Sequence, residues 1–309
     1  MPDQPDQNDR IEFGVSMRLL KEVREEAQSA ENLGYDYLLT GEHISFHGPV
    51  PNTLISLAAA AAVTERIKLL SGIVLVPLYP PALLAKLIAT LDVVSHGRYC
   101  FGIGIGGENP REFSAVGVPV KERGARTNEA LQVIDRLLTE DKVSFEGRFT
   151  TLDNITITPR QPTRPPFWVS GRKDAAMKRA ARYGDAWLPY MYTPEQLADS
   201  MTKIAAFTEE AGRPAGSVKG AAFAFTCVHE DRDTALDMCN KVLSTTYNQD
   251  FTELVGKYAI AGSPEVCRAR IQEYIDAGAR TIVFAQGCPS GYIDDNVRLL
   301  AEEVMPAFR

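Results

Sequence analysis

The chain has 309 residues, 45% hydrophobic and 24% charged, with a formal net charge of −7, an ordinary globular composition that can bury a large core in one big domain or two small ones. The acidic balance, with no cluster of Lys and Arg, argues against nucleic acid and against an anionic membrane surface as partners. The acidic start MPDQPDQNDR lacks the basic and apolar regions of a signal peptide, and no run approaches the ~18 apolar residues of a membrane span, so the expected location is the cytoplasm.

Residues 1–10 read as a disordered tail and 11–309 as a single domain. Phe13 to Val15 make a short apolar strand, followed by a helix whose stripe Leu19, Val23, Ala27, Ala30 and Leu33 ends at Gly34. Strand Tyr37 to Leu39 follows, then a helix on Leu54, Leu57, Ala58, Ala61 and Ala62. The alternation continues through strand Ile67 to Val74, helix 82–94, strand Tyr99 to Ile103, helix 127–138, strand Phe167 to Val169, helix 174–183 and strand Ala186 to Leu188. Helix 194–211, strand Ala221 to Val228, helices 232–243 and 264–277, strand Thr281 to Phe284 and a closing helix 293–305 complete it. These strands are short and continuously apolar, as when both faces of a parallel sheet are buried. Eight strand–helix units predict an α/β fold, a closed (β/α)8 TIM barrel with insertions after strands four and seven. Pro81, Pro194 and Pro264 sit at first-turn positions, the last behind Ser263 as N-cap. The stretches 105–126, 142–166 and 244–262 exceed the usual loop length, and the second contains a hairpin pattern, SFEGRFTTLDNITI. The five cysteines are scattered and include no C-x-x-C, so they read as reduced and packed.

In such a barrel the chemistry comes from residues just past the C-terminal strand ends, where eight loops converge. GIGIGG, Gly102 to Gly107, matches G-x-G-x-x-G, but Asn109-Pro110 and a long loop follow where a Rossmann helix would begin, so that reading is rejected. Glycines spaced by two along a strand end leave bare backbone for a flat ring to lie against, or serve a bulge or tight turn. SGRKD, Ser170 to Asp174, puts small residues and two cations before a helix N-terminus, which suits a phosphate; the alternative is a helix capped by Asp174. His43 stands at a strand end beside Glu42, placed to move a proton, or else as a structural histidine. Glu42, His43 and His47 follow E-H-x-x-x-H rather than H-E-x-x-H, so no metal is expected. Lys68 opens its strand, at the wrong end for a Schiff base, no G-x-S-x-G elbow occurs, and Glu230 opens an acidic helix start rather than pairing with Glu108 as in a glycosidase. Phe46, Tyr79, Trp187, Tyr190 and Tyr192 offer an apolar substrate wall or ordinary packing.

Together the segments ENLGYDYLLTGEH, TERIKLLSGIVLVPLYPPALLAKLIATLDVVSHGRYCFGIGIG, REFSAVGVPVKERGARTNEAL, PPFWVSGRKDAAMKRAARYGDAWLP and AGSPEVCRARIQEYIDAGARTIVF resemble the luciferase-like superfamily of flavin- and deazaflavin-dependent barrel oxidoreductases over nearly the whole chain. The resemblance implies that Glu42 and His43 line the pocket and that Gly72, Ile73, Val74, Ile105, Gly106 and Gly107 border the cofactor ring. It places the cofactor phosphate on Ser170, Gly171, Arg172 and Lys173, and makes Gly72–Ile73 a cis peptide. The pattern is more similar to the deazaflavin branch, because Ile44 follows Glu-His where the luciferases proper repeat histidine. It departs from that branch's sugar-phosphate dehydrogenase, which has an acid at the position of Gly107 and a tryptophan at that of His47. The reading is a homodimeric enzyme transferring hydride between the deazaflavin coenzyme F420 and a small organic substrate, with His43 as acid, base or orienting donor. The alternatives are a monooxygenase using reduced FMN, fed by a separate flavin reductase and covered by 105–126 or 244–262, and a non-catalytic flavin-binding barrel.

Overall fold

The computed structural model describes residues 10–17 and 23–309; residues 1–9 of the predicted tail and Leu19 fall outside them, while Arg10 is described and pairs with Asp36. The eight predicted strands are present as Glu12–Ser16, Tyr37–Thr40, Lys68–Ser71, Tyr99–Gly104, Phe167–Val169, Ala186–Trp187, Lys219–Val228 and Ala279–Gln286. Each pairs in parallel with its neighbour, and the eighth returns to the first through Glu12↔Thr281 to Val15↔Phe284, closing the barrel. Two apolar layers result. Side chains pointing inward, among them Leu39, Leu70, Trp168, Leu188 and Val283, fill the lumen. Those pointing outward, such as Phe13, Leu38, Leu69, Phe101 and Phe284, pack under the helices. Both faces of most strands are therefore apolar, which is why they lack polar alternation; the polar exceptions, Glu12 and Lys68, sit at the strand starts.

The helices start where the local chemistry directs. Thr193 and Gln196 form a reciprocal capping box on Pro194–Glu210, and Ser263 accepts from the Val266 N–H at the start of Pro264–Asp276. Pro81 occupies the first turn of Pro81–Val94. The hairpin lies at Val143–Glu146 and Thr151–Ile155. Three details depart from the predicted pattern. The third strand ends at Ser71 and resumes as Val74–Leu75 after a cis Gly72–Ile73 peptide. The insertion after strand four contains a short helix, Pro110–Ala115, and the helix predicted for 127–138 runs from Arg123 to Thr139. The helix after strand seven runs to Tyr247, and a further strand, Ile260–Gly262, flanks the barrel. Among the described residues no helix is long and apolar enough to cross a membrane, and all five cysteines are buried and none forms a disulfide.

Candidate functional site

The end of strand three is moulded against its neighbours by glycine. A Cβ on Gly102 would lie 1.7 Å from the Ser71 carbonyl oxygen, and one on Gly104 would lie 1.9 Å from Ile73 Cδ1. The space freed by these glycines is therefore taken by the Ser71–Ile73 turn, with Ile73 packed on the strand-four backbone. This corrects the expectation of exposed backbone. Val74 has no exposed surface and packs in the outer core, so it supports the turn from behind and offers no surface to a ligand, which corrects its place among the residues bordering the ring. Past strand four, Gly106 and Gly107 adopt φ of 57° and 115°, and a Cβ on Gly107 would come within 2.8 Å of Arg123 Nε. Ile105 to Gly107 thus turn as a side-chain-poor edge of the mouth.

Glu42 and His43 have different tasks. The Glu42 carboxylate is buried and accepts from the Leu75 N–H at 2.8 Å, the Tyr79 hydroxyl at 3.0 Å and Asn52 Nδ2 at 3.1 Å. Burial raises its pKa, and the Leu75 and Tyr79 hydrogen bonds oppose that shift. Its lone pairs are engaged, so it fixes the turn after strand three to the end of strand two. His43 Nδ1 lies 3.1 Å and 3.2 Å from the two carboxylate oxygens of Glu112, a residue no sequence pattern singled out. Glu112 side-chain exposure is only 1%, and it also accepts from the backbone of Ile44 at 2.6 Å and Ser45 at 3.3 Å. A carboxylate offers only acceptors, so the proton on the imidazole belongs on Nδ1 and Nε2 is left as an acceptor. The ring is stacked on Phe46 at 4.2 Å between centroids, which holds its plane.

Past strand five, Gly171 has a φ of 139°, and a Cβ there would meet Ala176 Cβ at 2.6 Å. The following helix, Asp174–Tyr183, has Lys173 at its N-cap with no side-chain cap, so the alternative of a helix capped by Asp174 is not realised. Asp174 is instead paired with Lys203 at 3.2 Å. Among the described residues, the backbone N–H groups from Gly171 to Ala175 find no acceptor in the chain. Amides left free at a helix start, beside the side chains of Arg172 and Lys173, are what a phosphate group satisfies. The Arg172 guanidinium lies over the Tyr190 ring at 4.8 Å.

Beside Phe46 and Arg172 opens a chamber of about 710 Å³, whose lining does not include His43, Ile73 or Ile105 to Gly107. Its walls come from residues 45–47, 108–111, 190–191 and 247–258, with Arg172 on the side of the amide cradle. Of the aromatic residues predicted as a wall, Phe46 and Tyr190 line it. Trp187 is fully buried, Tyr79 serves Glu42, and Tyr192 donates to the Arg172 carbonyl. The rest of the aromatic wall, Tyr247, Phe251 and Tyr258, comes from the insertion after strand seven.

Comparison with known proteins agrees with the barrel. Residues 7–281 match the family described as luciferase-like monooxygenase. An uncharacterized protein of Mycobacterium tuberculosis is 33% identical over 181 residues, 58% of this chain and 62% of its own length, so the match spans less than two thirds of that relative. An F420-dependent glucose-6-phosphate dehydrogenase of Microbacterium testaceum is 26% identical over 98% of this chain and 94% of its own. Among solved structures, an F420-dependent secondary alcohol dehydrogenase in complex with an F420-acetone adduct superposes with a TM-score of 0.86 at 21% identity, over 97% of this chain and 99% of that one, a likeness of fold. A closed parallel barrel, the turn after strand three and a profile match over most of the sequence place this chain in the luciferase-like monooxygenase family.

Proposed function

We infer that the protein is a deazaflavin-dependent oxidoreductase that moves a hydride between coenzyme F420 and a small organic substrate held in the chamber. The observation that carries this is the pairing of a cradle of unsatisfied amides, Gly171 to Ala175, with a histidine whose Nδ1 is fixed by a buried carboxylate. When bound, F420 supplies the hydride acceptor or donor. The chain supplies the rest. The amides of Gly171 to Ala175, with Arg172 and Lys173, hold the coenzyme phosphate; Ile73 and the edge Ile105 to Gly107 border its ring. Glu112 orients His43 so that Nε2 takes the proton from a substrate hydroxyl or returns it to a carbonyl. Glu42 acts through structure, keeping the Gly72–Ile73 turn in place, and not as a proton carrier.

A reduced-FMN monooxygenase is the second reading: oxygen insertion needs a site closed to water, and the insertion after strand seven, which already supplies Tyr247, Phe251 and Tyr258 to one wall of the chamber, is the segment that would close it. We also place a homodimer contact on the outer face of helices Thr53–Ala61 and Pro81–Val94, where Ile55, Leu83, Leu87 and Val94 are exposed; light scattering reads two chains per particle if this holds.

The deciding experiment is anaerobic titration of the purified protein with F420 and, separately, reduced FMN, repeated on His43→Ala. Preferential F420 binding, kept by His43→Ala while hydride transfer falls about 10²–10⁴-fold, is expected of a residue that moves a proton. Preference for reduced FMN makes the protein a monooxygenase instead.

A further inference from the structure

Glu42 belongs to a closed ring of hydrogen bonds with two side chains that have no other task in the site. Asn52 stands at the N-cap of helix Thr53–Ala61, where its Oδ1 accepts from the Ile55 N–H at 3.1 Å. That contact fixes the amide, so both Nδ2 hydrogens face the other way. One goes to Glu42 Oε2 at 3.1 Å and the other to the Tyr79 hydroxyl oxygen at 2.8 Å. Tyr79 follows the short helical turn Val76–Leu78 and donates its own proton to Glu42 Oε2 at 3.0 Å. Glu42 Oε1 accepts from the Leu75 N–H at 2.8 Å, two residues beyond Ile73. Every donor hydrogen of the Asn52 and Tyr79 side chains is used inside this ring.

The ring suits a carboxylate and not a carboxylic acid. The groups aimed at Glu42 are all donors: the N–H of Leu75 and of Thr53, Asn52 Nδ2 and the Tyr79 hydroxyl. A protonated Glu42 would bring a hydrogen that finds an acceptor only if the Tyr79 hydroxyl turned round. Burial acts in the other direction. It raises the Glu42 pKa, and the bonds from Leu75, Tyr79 and Thr53 lower it again. The titratable groups facing Glu42 are His43, Tyr79 and the buried Tyr99. What depends on the carboxylate is the turn after strand three. Ile73 is half-buried, and two ties to the end of strand two bracket it: the Gly72 N–H donates to the Thr40 carbonyl at 2.8 Å, and the Leu75 N–H donates to Glu42. The second tie holds only as firmly as the charge on Glu42.

We propose that Asn52 and Tyr79 are positioning residues of the reaction: they keep Glu42 ionised and, through Leu75, hold Ile73 in place as the bed of the coenzyme ring. They act through Glu42. The proposal rests on the coenzyme reading above. Without the Tyr79 hydroxyl, burial is less opposed and the Glu42 pKa rises further. As pH falls through that raised value Glu42 takes a proton, the Leu75 bond weakens and the bed shifts; at higher pH the carboxylate and the bed are restored.

The test compares the unaltered full-length protein with Tyr79→Phe and with Asn52→Ser, the latter keeping an N-cap oxygen while removing the amide donors. F420 and, separately, reduced FMN are titrated anaerobically between about pH 8 and about pH 6, and hydrogen-exchange protection of the Leu75 amide is followed in the ligand-free proteins. At the upper pH both variants should bind F420 within about threefold of the unaltered protein; at the lower pH they should bind it at least about tenfold more weakly, with Leu75 protection lost over the same range. Adding Glu42→Gln to Tyr79→Phe removes the titrating group and should abolish the added pH dependence. Parallel pH profiles in the variants and the unaltered protein, or a pH dependence that survives Glu42→Gln, overturn the proposal while F420 binding stands. If the unaltered protein binds reduced FMN alone, the F420 reading falls and the same comparison with reduced FMN decides the role of Asn52 and Tyr79. Binding of neither overturns the coenzyme reading and this inference with it.

Discussion

At the floor of the barrel Lys68 Nζ meets Glu12 Oε1 at 2.7 Å and lies over the Tyr37 ring, whose hydroxyl donates to Glu12 at 2.9 Å. Beside them Arg98 donates five hydrogen bonds, to the carbonyls of Ala61, Thr64, Ile67 and Ser95 and to the Thr64 hydroxyl. At the mouth the balance is reversed: among the described residues five consecutive amides lack acceptors, and His43 is bound through Nδ1 while Nε2 has no partner. Polar groups at the floor are matched to the chain itself. Those at the mouth are fixed in direction but directed at space a ligand would fill. Conserving the fold and binding a ligand are thus separated along the barrel axis, as expected when only the C-terminal strand ends carry chemistry.

The comparison breaks most visibly at the floor. Arg98→Ala removes the side-chain donor from the carbonyls of Ala61, at the end of helix Thr53–Ala61, and of Thr64 and Ile67 beyond it, and a buried polar group left unpaired costs about 1–3 kcal/mol. Since several are orphaned together, a loss of about 3 kcal/mol is expected, read as a drop in Tm, with F420 affinity unchanged at temperatures where the variant is folded. The same kind of change at the mouth should do the opposite. Gly171→Ala places a methyl against Ala176 and strains a backbone at φ 139°. The amides of Gly171 to Ala175 must then shift, so F420 affinity should fall at least tenfold, about 1.4 kcal/mol, measured by titration, while Tm moves less than in Arg98→Ala.

The floor was the more legible end in the sequence. Strands such as Tyr99 to Ile103 announce themselves as apolar runs, and the place of Lys68 at the start of its strand already put it away from the chemistry. His43 and Ser170 to Lys173 were legible because strand ends name their own candidates. Glu112 was not: it meets His43 across 69 residues of chain, a distance no local period encodes. Its helix did carry a signal, Asn109 as N-cap with Pro110 in the first turn. Tyr247 was missed because the helix was ended at Leu243, although Cys239, Leu243 and Tyr247 continue the i, i+4 stripe. Trp187 looked like a wall residue from its place at a strand end, yet that strand is two residues long and its indole lies wholly in the core. The break at Gly72–Ile73 came only through the resemblance, since a cis peptide leaves no mark on hydrophobic pattern.

Among the described residues a few buried side-chain atoms away from the mouth, those of Thr150, Trp187 and Asp92 among them, have no partner, and the charged one, Asp92, sharpens the contrast. Asp92, near the end of helix Pro81–Val94, is 2% exposed, and its Oδ1 has no hydrogen-bond partner. Burial pushes its carboxyl up from 3.8 to about 6. Below pH 4 the carboxyl is protonated in both folded and unfolded chains and costs little. Between about pH 4 and 6 the folded chain binds the proton more tightly than the unfolded one, so stability falls as pH rises through this window. Above it the folded chain carries a poorly solvated charge. Asp92→Asn removes that charge while keeping the shape, so it should raise stability near pH 7 by about 1 kcal/mol and flatten the pH 4–6 slope of Tm. Activity and coenzyme affinity should stay put, because Asp92 lies on an outer helix and outside the chamber lining. An unchanged slope in the variant would show that Asp92 is solvated in solution and that the pH dependence of this fold arises elsewhere.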